Sequence, residues 1–362
     1  MGSLIHNDFL TLRPLLSNTC LRIPDLTQLF RRWPAALNPH YPNLSRRVEA
    51  RLVELVPSPN TREQMRKVDL ALFASLWWPT ATLRRLEAVV YYSLWLFLWD
   101  DEIDGAGLEG DRGKHVDEEL LGKQALEYVK FHLGVVDDMN DPEKEPVAPT
   151  KATRIAKEPA EWIRDWGHEG LVERFVVELE RYMDCCVVEQ KHLESGSLPS
   201  LKEYWECRMG TSAVSTYSVL TEYMVGVRLP KEIFDTEEMK IIWTEVNMNI
   251  SYINDTVSLK KELTGSMYSF IPVTMKETGQ DAQAIIEDVL VALETSADAF
   301  DEAAERLLNQ IRDEEPRISR DVDEYIRGLK TMMTGSLYWQ LAADRYGIAR
   351  YIQDDNSLVI PL

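Results

Sequence analysis

Apolar residues recur at helical spacing along almost the whole chain. Side chains three or four positions apart share one face of an α-helix, so this periodicity predicts amphipathic helices. The apolar–polar alternation typical of strands is scarce. The pattern therefore predicts an all-α fold with helices at residues 43–56, 60–78, 81–104, 115–134, 152–166, 169–194, 200–226, 236–264, 279–310 and 317–347.

No segment has the composition of a linker between two independent cores. The stretch 136–149 is acidic and rich in proline, which favours a surface loop over a domain boundary. We therefore expect one domain over residues 1–362, with an N-terminal segment at 1–40 and a C-terminal tail at 350–362.

One predicted helix contains a cluster of poor helix formers. Gly210 is followed by several Ser and Thr residues, which weaken a helix because their side chains compete for backbone hydrogen bonds. The sequence allows two interpretations: a break in the helix just after Gly210, or a glycine that lets two helices pack closely.

Composition narrows the class of protein. Hydrophobic residues make up 45% of the 362 positions and charged residues 28%, as in globular proteins with a sizeable core. The net charge of −20 argues against a basic surface for nucleic acid. Because there is no apolar run of about 18 residues and no signal-peptide pattern, we expect a cytoplasmic protein without a stable membrane anchor. The four cysteines are predicted to be reduced core residues: Cys20, Cys185, Cys186 and Cys207.

Two clusters of oxygen-bearing side chains are the candidate functional sites. Asn254, Ser258 and Glu262 stand at i, i+4 and i+8 in a predicted helix, so each lies about 40° around the helix and about 6 Å along it from the last. Such a row of oxygen donors suits Mg²⁺. A second, acidic segment at 100–104 ends the apolar run 91–99. Alone, an acidic run is usually a solvated helix end.

Taken together, the two clusters resemble the DDxxD and NDxxSxxKE metal motifs of class I terpene synthases, especially the single-domain fungal and bacterial cyclases. Two further matches support the resemblance. Arg345 and Tyr346 form the expected pair near the C-terminus, and Arg208 lies 46 positions before Asn254, about where the family has its diphosphate-sensing arginine. The four motifs span residues 97 to 346, which is most of the chain.

The resemblance implies the ligands of a metal and diphosphate site. Three Mg²⁺ ions are expected, with Asp100 binding one or two of them. For Asp101 and Asp104 the alternative is that either orients the basic residues when the site closes. The implied metal ligands are Asp100, Asp104, Asn254, Ser258 and Glu262. The implied diphosphate ligands are Arg208, Lys261, Arg345 and Tyr346.

The resemblance also implies how the cavity contacts a carbocation. Thr211 would be the linker of the broken helix, and the Ser212 carbonyl would face the cation. Phe97 and Trp339 are expected in the cavity wall. Three further aromatic residues belong either to that wall or to the core: Tyr92, Tyr217 and Trp243. Four tryptophans are assigned to packing alone: Trp77, Trp78, Trp95 and Trp99.

We therefore predict an Mg²⁺-dependent lyase of isoprenoid secondary metabolism. It would ionise a linear prenyl diphosphate, with farnesyl diphosphate the best single choice, and cyclise the cation to a sesquiterpene. The alternatives are a cyclase for geranylgeranyl or longer substrates, a chain-elongating prenyltransferase, and an inactive homologue that acts as a binding scaffold. Product identity, homodimerisation and the choice between deprotonation and water capture stay open.

Overall fold

The computed structural model describes residues 7–103, 118–136, 141–265, 267–312 and 316–362. Within them the fold is all-α, as predicted. The helices are α1 (Asp8–Leu16), α2 (Tyr41–Leu55), α3 (Pro59–Val68), α4 (Leu70–Trp77), α5 (Leu83–Ile103), α6 (Glu118–Leu133), α7 (Lys151–Ile155), α8 (Lys157–Trp166), α9 (Glu169–Ser195), α10 (Leu201–Thr211), α11 (Val214–Val225), α12 (Lys231–Asp235), α13 (Glu237–Glu262), α14 (Phe270–Thr278), α15 (Ala282–Ile311) and α16 (Pro316–Ala342).

Several helix boundaries differ from the prediction. The expected helix 60–78 is two helices, because Asp69 adopts a left-handed conformation (φ 48°) and its carboxylate accepts a hydrogen bond from the Leu72 N–H, 2.9 Å away. The expected helix 152–166 is likewise divided into α7 and α8, and α1, α12 and α14 were not predicted. The last long helix ends at Ala342, five residues earlier than expected.

The interruption near Gly210 is present. Helix α10 ends at Thr211, Ala213 is left-handed (φ 56°), and α11 begins at Val214. The second interpretation also holds, since a Cβ atom on Gly210 would lie 2.4 Å from the Cys185 sulfur. Glycine therefore allows α10 to pack closely on α9 just before the chain turns.

Helix α13 lies at the centre of the packing that forms the site. It packs most extensively against α15, and it also contacts α10, α11, α14 and α16. Helix α16 packs closely against α4, and α10 packs against α9. Buried apolar side chains from all of these helices form one continuous core.

The two ends of the described chain meet in a small antiparallel sheet. Strand β1 (Cys20–Ile23) pairs with strand β2 (Leu358–Pro361), with Cys20 opposite Pro361, and β1 contacts α15. The predicted N-terminal segment and C-terminal tail are therefore fixed to each other.

All four cysteines are unpaired, as predicted, but only two of them are buried. Cys186 and Cys207 lie in the core, whereas Cys20 is exposed on β1 and Cys185 is half-buried. The prediction that all four are core residues was wrong for these last two. None of the described helices is both long and apolar enough to cross a membrane.

Candidate active site

A cavity of about 270 Å³ opens between α4, α5, α9, α10, α11, α13 and α16. Almost every site residue predicted from the sequence lines it: Phe97, Asp100, Arg208, Thr211, Ser212, Asn254, Ser258, Lys261, Glu262, Trp339, Arg345 and Tyr346. The exception is Asp104, which lies outside the described residues, as does the side chain of Asp101. The fold thus brings together residues that are far apart in sequence.

Helix α13 carries the row of oxygen donors expected from the spacing. The Ser258 hydroxyl donates a hydrogen bond to Glu262, one turn further along. The second carboxylate oxygen of Glu262 is buried and has no hydrogen-bond partner among the described residues. Burial, and then the charge of the nearby Asp255, raise the pKa of Glu262 to about 7. A cation bound here would favour the ionised carboxylate and would release its proton.

Asp100 lies at the mouth of the cavity, near the C-terminal end of α5. Its side chain is exposed to the opening, but the surrounding protein displaces enough water to raise its pKa. Three cationic side chains oppose that shift by attraction: Arg345, Lys261 and Arg208. The carboxylate therefore faces every basic residue that the resemblance assigns to diphosphate.

Asp255 holds Arg208 in place, and the sequence analysis did not single it out. One terminal nitrogen of Arg208 donates to Asn254 (2.9 Å) and to Asp255 (2.8 Å). Asp255 is buried and also accepts hydrogen bonds from the Tyr204 hydroxyl and from the Phe270 N–H. Although burial opposes it, the Asp255 charge raises the pKa of Arg208. The adjacency of Asp255 to Asn254 in the motif was the signal available.

Arg345 and Tyr346 lie in the turn after α16, not on the helix that was predicted to reach residue 347. The Arg345 N–H donates to the Lys67 carbonyl (2.9 Å), and its guanidinium lies 4.9 Å from the centre of the Phe97 ring. The Tyr346 hydroxyl accepts a hydrogen bond from the Asn254 amide (3.1 Å). The turn thus points both side chains toward α13 and α5.

The inner wall of the cavity is aromatic. Trp339 contacts Phe73 and Tyr346, with ring centres 5.1 and 5.5 Å apart, and Phe73 contacts Trp77 and Tyr217. Tyr217 was one of the three uncertain aromatic residues, and it lines the wall. Phe73 was missed because nothing in the sequence distinguishes a cavity-facing phenylalanine from a core one.

The other aromatic assignments divide between wall and core. Assigning Trp77 to packing alone was wrong, because it lines the cavity. The remaining packing assignments are confirmed, since these side chains are fully buried and contribute nothing to the wall: Trp78, Trp95 and Trp99. Tyr92 and Trp243 are also absent from the wall, with their polar atoms bonded to Thr216 and Tyr325.

Further polar residues in the lining were also missed, among them Glu189, Gln190, Ser251, Ser336 and Gln340. The first two are on α9, Ser251 is on α13, and the last two are on α16. Their positions in the sequence carry no motif. The packing of α9 against α10 and α11, and of α16 against α13, brings them to the cavity.

The residues present fit a divalent cation that prefers oxygen. Asn254, Ser258, Glu262 and Asp100 offer amide, hydroxyl and carboxylate oxygens, and the unpartnered oxygen of Glu262 lacks the partner that a buried carboxylate needs. No group of three or more His, Cys, Asp or Glu side chains converges within the described part of the chain. The site therefore depends on a mixed set of donors.

Comparisons with known proteins agree with this geometry. The fold matches germacradien-4-ol synthase from Streptomyces citricolor (TM-score 0.71, 18% identity, covering 88% of this chain and 99% of that one). It also matches hedycaryol synthase (TM-score 0.73, 18% identity, covering 89% and 99%). The chain therefore has the all-α fold of these two synthases.

The sequence comparisons give the family. Residues 91–298 match the terpene synthase family 2, C-terminal metal binding. The sesquiterpene cyclase hepA of Aspergillus oryzae is 34% identical, over 99% of this chain and 97% of its own length. The pristinol synthase of Streptomyces pristinaespiralis is 26% identical, over 92% and 86%. The chain belongs to terpene synthase family 2.

Proposed function

We propose that this terpene synthase uses Mg²⁺ to ionise farnesyl diphosphate and cyclises the resulting cation to a sesquiterpene. The observation that carries the proposal is the polarity of one cavity. Asp100, the α13 donors and three basic side chains meet at its mouth, while rings from α4, α11 and α16 form its inner wall. A substrate with a charged head and an apolar tail fits that division.

The mouth is built to stabilise a departing diphosphate. Bound Mg²⁺ would supply positive charge to the diphosphate as its bond to carbon breaks. Arg208, Lys261 and Arg345 add donors aimed at the same place, and arginine can give two parallel hydrogen bonds to phosphate oxygens. Asp255 keeps Arg208 oriented before substrate arrives, so less reorganisation is needed during the reaction.

The inner wall suits the cyclisation of the carbocation that remains after diphosphate has left. Aromatic faces attract a cation by about 0.5–2 kcal/mol each and exclude bulk water. Trp339 and Phe97 are the wall residues predicted from the sequence, and Trp77 and Tyr217 extend the same surface. The break between α10 and α11 places the backbone at Thr211 and Ser212 beside the cavity, where carbonyl oxygens can face the cation.

Farnesyl diphosphate is chosen because hepA, which covers nearly the whole chain, is named a sesquiterpene cyclase. Purified protein incubated with Mg²⁺ and C10, C15 or C20 diphosphates, followed by gas chromatography, tests the choice. We expect cyclic C15 products. Products only from the C20 substrate would favour the diterpene alternative, and no product with any substrate would favour the inactive scaffold. A parallel incubation with added isopentenyl diphosphate, followed by mass spectrometry of the diphosphates, covers the prenyltransferase, which would form elongated diphosphates only with this co-substrate.

Heat resistance should depend on metal and diphosphate together. If cations and Arg208, Lys261 and Arg345 share one anion, then Mg²⁺ plus inorganic diphosphate at a hundredfold excess should stabilise the fold by about 2.7 kcal/mol. For a chain of this length that raises Tm by about 3–4 °C. Calorimetry with Mg²⁺ alone, diphosphate alone and both is the measurement. Equal shifts with Mg²⁺ alone would contradict the shared site.

Trp339→Ala should change the products more than it changes ionisation. Loss of one cation–π contact of about 2 kcal/mol lowers the rate by about 10- to 100-fold, and the truncated wall admits water and other foldings of the substrate. Diphosphate release should therefore persist while acyclic and early-quenched terpenes increase. Trp339→Phe is the matched control, since it keeps an aromatic face. An unchanged product profile in the Ala variant would make Trp339 a packing residue.

A further inference from the structure

The polar atoms of the aromatic wall are mostly bonded away from the cavity. The Tyr217 hydroxyl donates to the Ser93 hydroxyl (2.9 Å), and the Trp339 indole N–H donates to the Val68 carbonyl (2.7 Å). Both residues thus present their rings to the cavity while their polar atoms are occupied elsewhere. A wall of this kind offers a carbocation little to react with.

Trp77 and Gln340 depart from this rule. The Trp77 indole N–H, a donor, has no hydrogen-bond partner among the described residues, and Gln340 presents an unpartnered acceptor. Gln340 follows Trp339 on α16, lines the cavity, and is only 1% exposed. Its amide nitrogen donates to the Ser336 hydroxyl oxygen (2.7 Å), one turn earlier on the same helix. Its amide oxygen is buried without any hydrogen-bond partner among the described residues. Because buried acceptors are nearly always satisfied, by protein or by ordered water, this oxygen requires a ligand.

We propose that Gln340 binds a water molecule in the aromatic wall and positions it to add to the carbocation, so that the main product is a cyclic terpene alcohol. The inference extends the proposed function and depends on it. Gln340 is a positioning residue in this scheme, because it acts on the cation only through the water that it holds.

The geometry suits a water that reacts as a nucleophile. One N–H of the amide group donates to Ser336, whereas the amide oxygen, which can only accept a hydrogen bond, has no partner among the described residues and is the atom that calls for a ligand. A water that donates to Gln340 keeps its lone pairs, and the Ser336 oxygen offers a second contact. The water is then held where aromatic rings exclude other solvent.

The step balances without any oxidant or reductant. A lone pair on the water oxygen forms a bond to the cationic carbon, which gives a protonated alcohol. That oxygen then loses one proton, which passes to the diphosphate released in the first step. The products are one neutral alcohol and one protonated diphosphate for each substrate and water consumed.

The test compares wild type with Gln340→Leu, using farnesyl diphosphate and Mg²⁺ in H₂¹⁸O. Diphosphate release reports ionisation, and mass spectrometry reports alcohol, hydrocarbon and ¹⁸O content. We expect wild type to form mainly ¹⁸O-labelled alcohol. The Leu variant should release diphosphate within about threefold of wild type, while its ratio of alcohol to hydrocarbon falls about tenfold, as for loss of one hydrogen bond of ordinary strength.

Gln64→Leu is the matched control. Gln64 is exposed on α3 and lies outside the cavity, so removing its amide should leave the ratio unchanged. If Gln340→Leu fails to fold, Gln340→Met replaces it, since methionine has a similar length and no oxygen.

Two results would overturn the inference while leaving the proposed function intact. One is a wild-type product without ¹⁸O. The other is an unchanged ratio of alcohol to hydrocarbon in the Gln340 variants. Absence of diphosphate release from wild type would instead reject the proposed function, and the inference with it.

Discussion

Asn254→Ala should reduce turnover by at least about a hundredfold while the helical circular dichroism stays that of wild type. Loss of a metal ligand or its support typically costs one to two decades in metal affinity or activity. Asn254 is the first of the three donors on α13, and its side chain lines the cavity instead of packing in the core. The loss should therefore affect chemistry and not folding.

Asn254 also connects two of the predicted diphosphate ligands, Arg208 and Tyr346, through hydrogen bonds. Its amide oxygen accepts from Arg208 (2.9 Å) and its amide nitrogen donates to Tyr346 (3.1 Å). A cation bound to that oxygen would share it with Arg208, so metal loading and the position of the diphosphate donors are coupled through one amide. Alanine removes the metal ligand and this coupling together.

Steady-state diphosphate release with the C15 substrate is the measurement, and Mg²⁺ titration separates weakened binding from slowed chemistry. Asn254→Asp keeps an oxygen at the position and should retain more activity than the Ala variant. Thr244→Ala is the control on the same helix, because Thr244 is exposed and outside the cavity. Activity of Asn254→Ala within twofold of wild type would show that the α13 row takes no part in catalysis.

Arg208→Lys should lower the rate by about 10²–10³, the usual cost of removing one donor that stabilises developing charge. The guanidinium is already fixed by Asn254 and Asp255 through a single terminal nitrogen, which leaves its remaining nitrogens available. A lysine has one ammonium group. It cannot keep the Asp255 ion pair and also give two parallel hydrogen bonds to phosphate.

Both kcat and thermal stability are measured for the variant, because Arg208 also forms a buried ion pair with Asp255 whose loss could lower stability. Arg66→Lys, at an exposed ion pair with Glu49, should leave both quantities unchanged. Normal turnover in Arg208→Lys would remove Arg208 from the mechanism. A variant that fails to fold would show that its main role is structural.

The sequence alone determined the parts of the site that depend on local geometry. Helical spacing placed Asn254, Ser258 and Glu262 on one face of α13, because side chains at i, i+4 and i+8 align in any α-helix. Asp100 could be placed near the end of α5 because an apolar run ends there in charge. The break after Gly210 was also readable, from residues that weaken a helix.

Tertiary packing decided which buried residues face the cavity, which the periodicity of the sequence cannot show. Asp255 meets Arg208 only because α10 packs on α13, and Trp77 faces the cavity only because α4 lies against α16. Gln340 likewise reaches the wall through the rotation of α16. Amphipathic patterns show which residues are buried, but a buried side chain next to a cavity and one inside the core are equally removed from water. The rotation of each helix about its own axis decides whether a buried side chain faces the cavity or the core. That rotation depends on the packing of side chains from several helices at once.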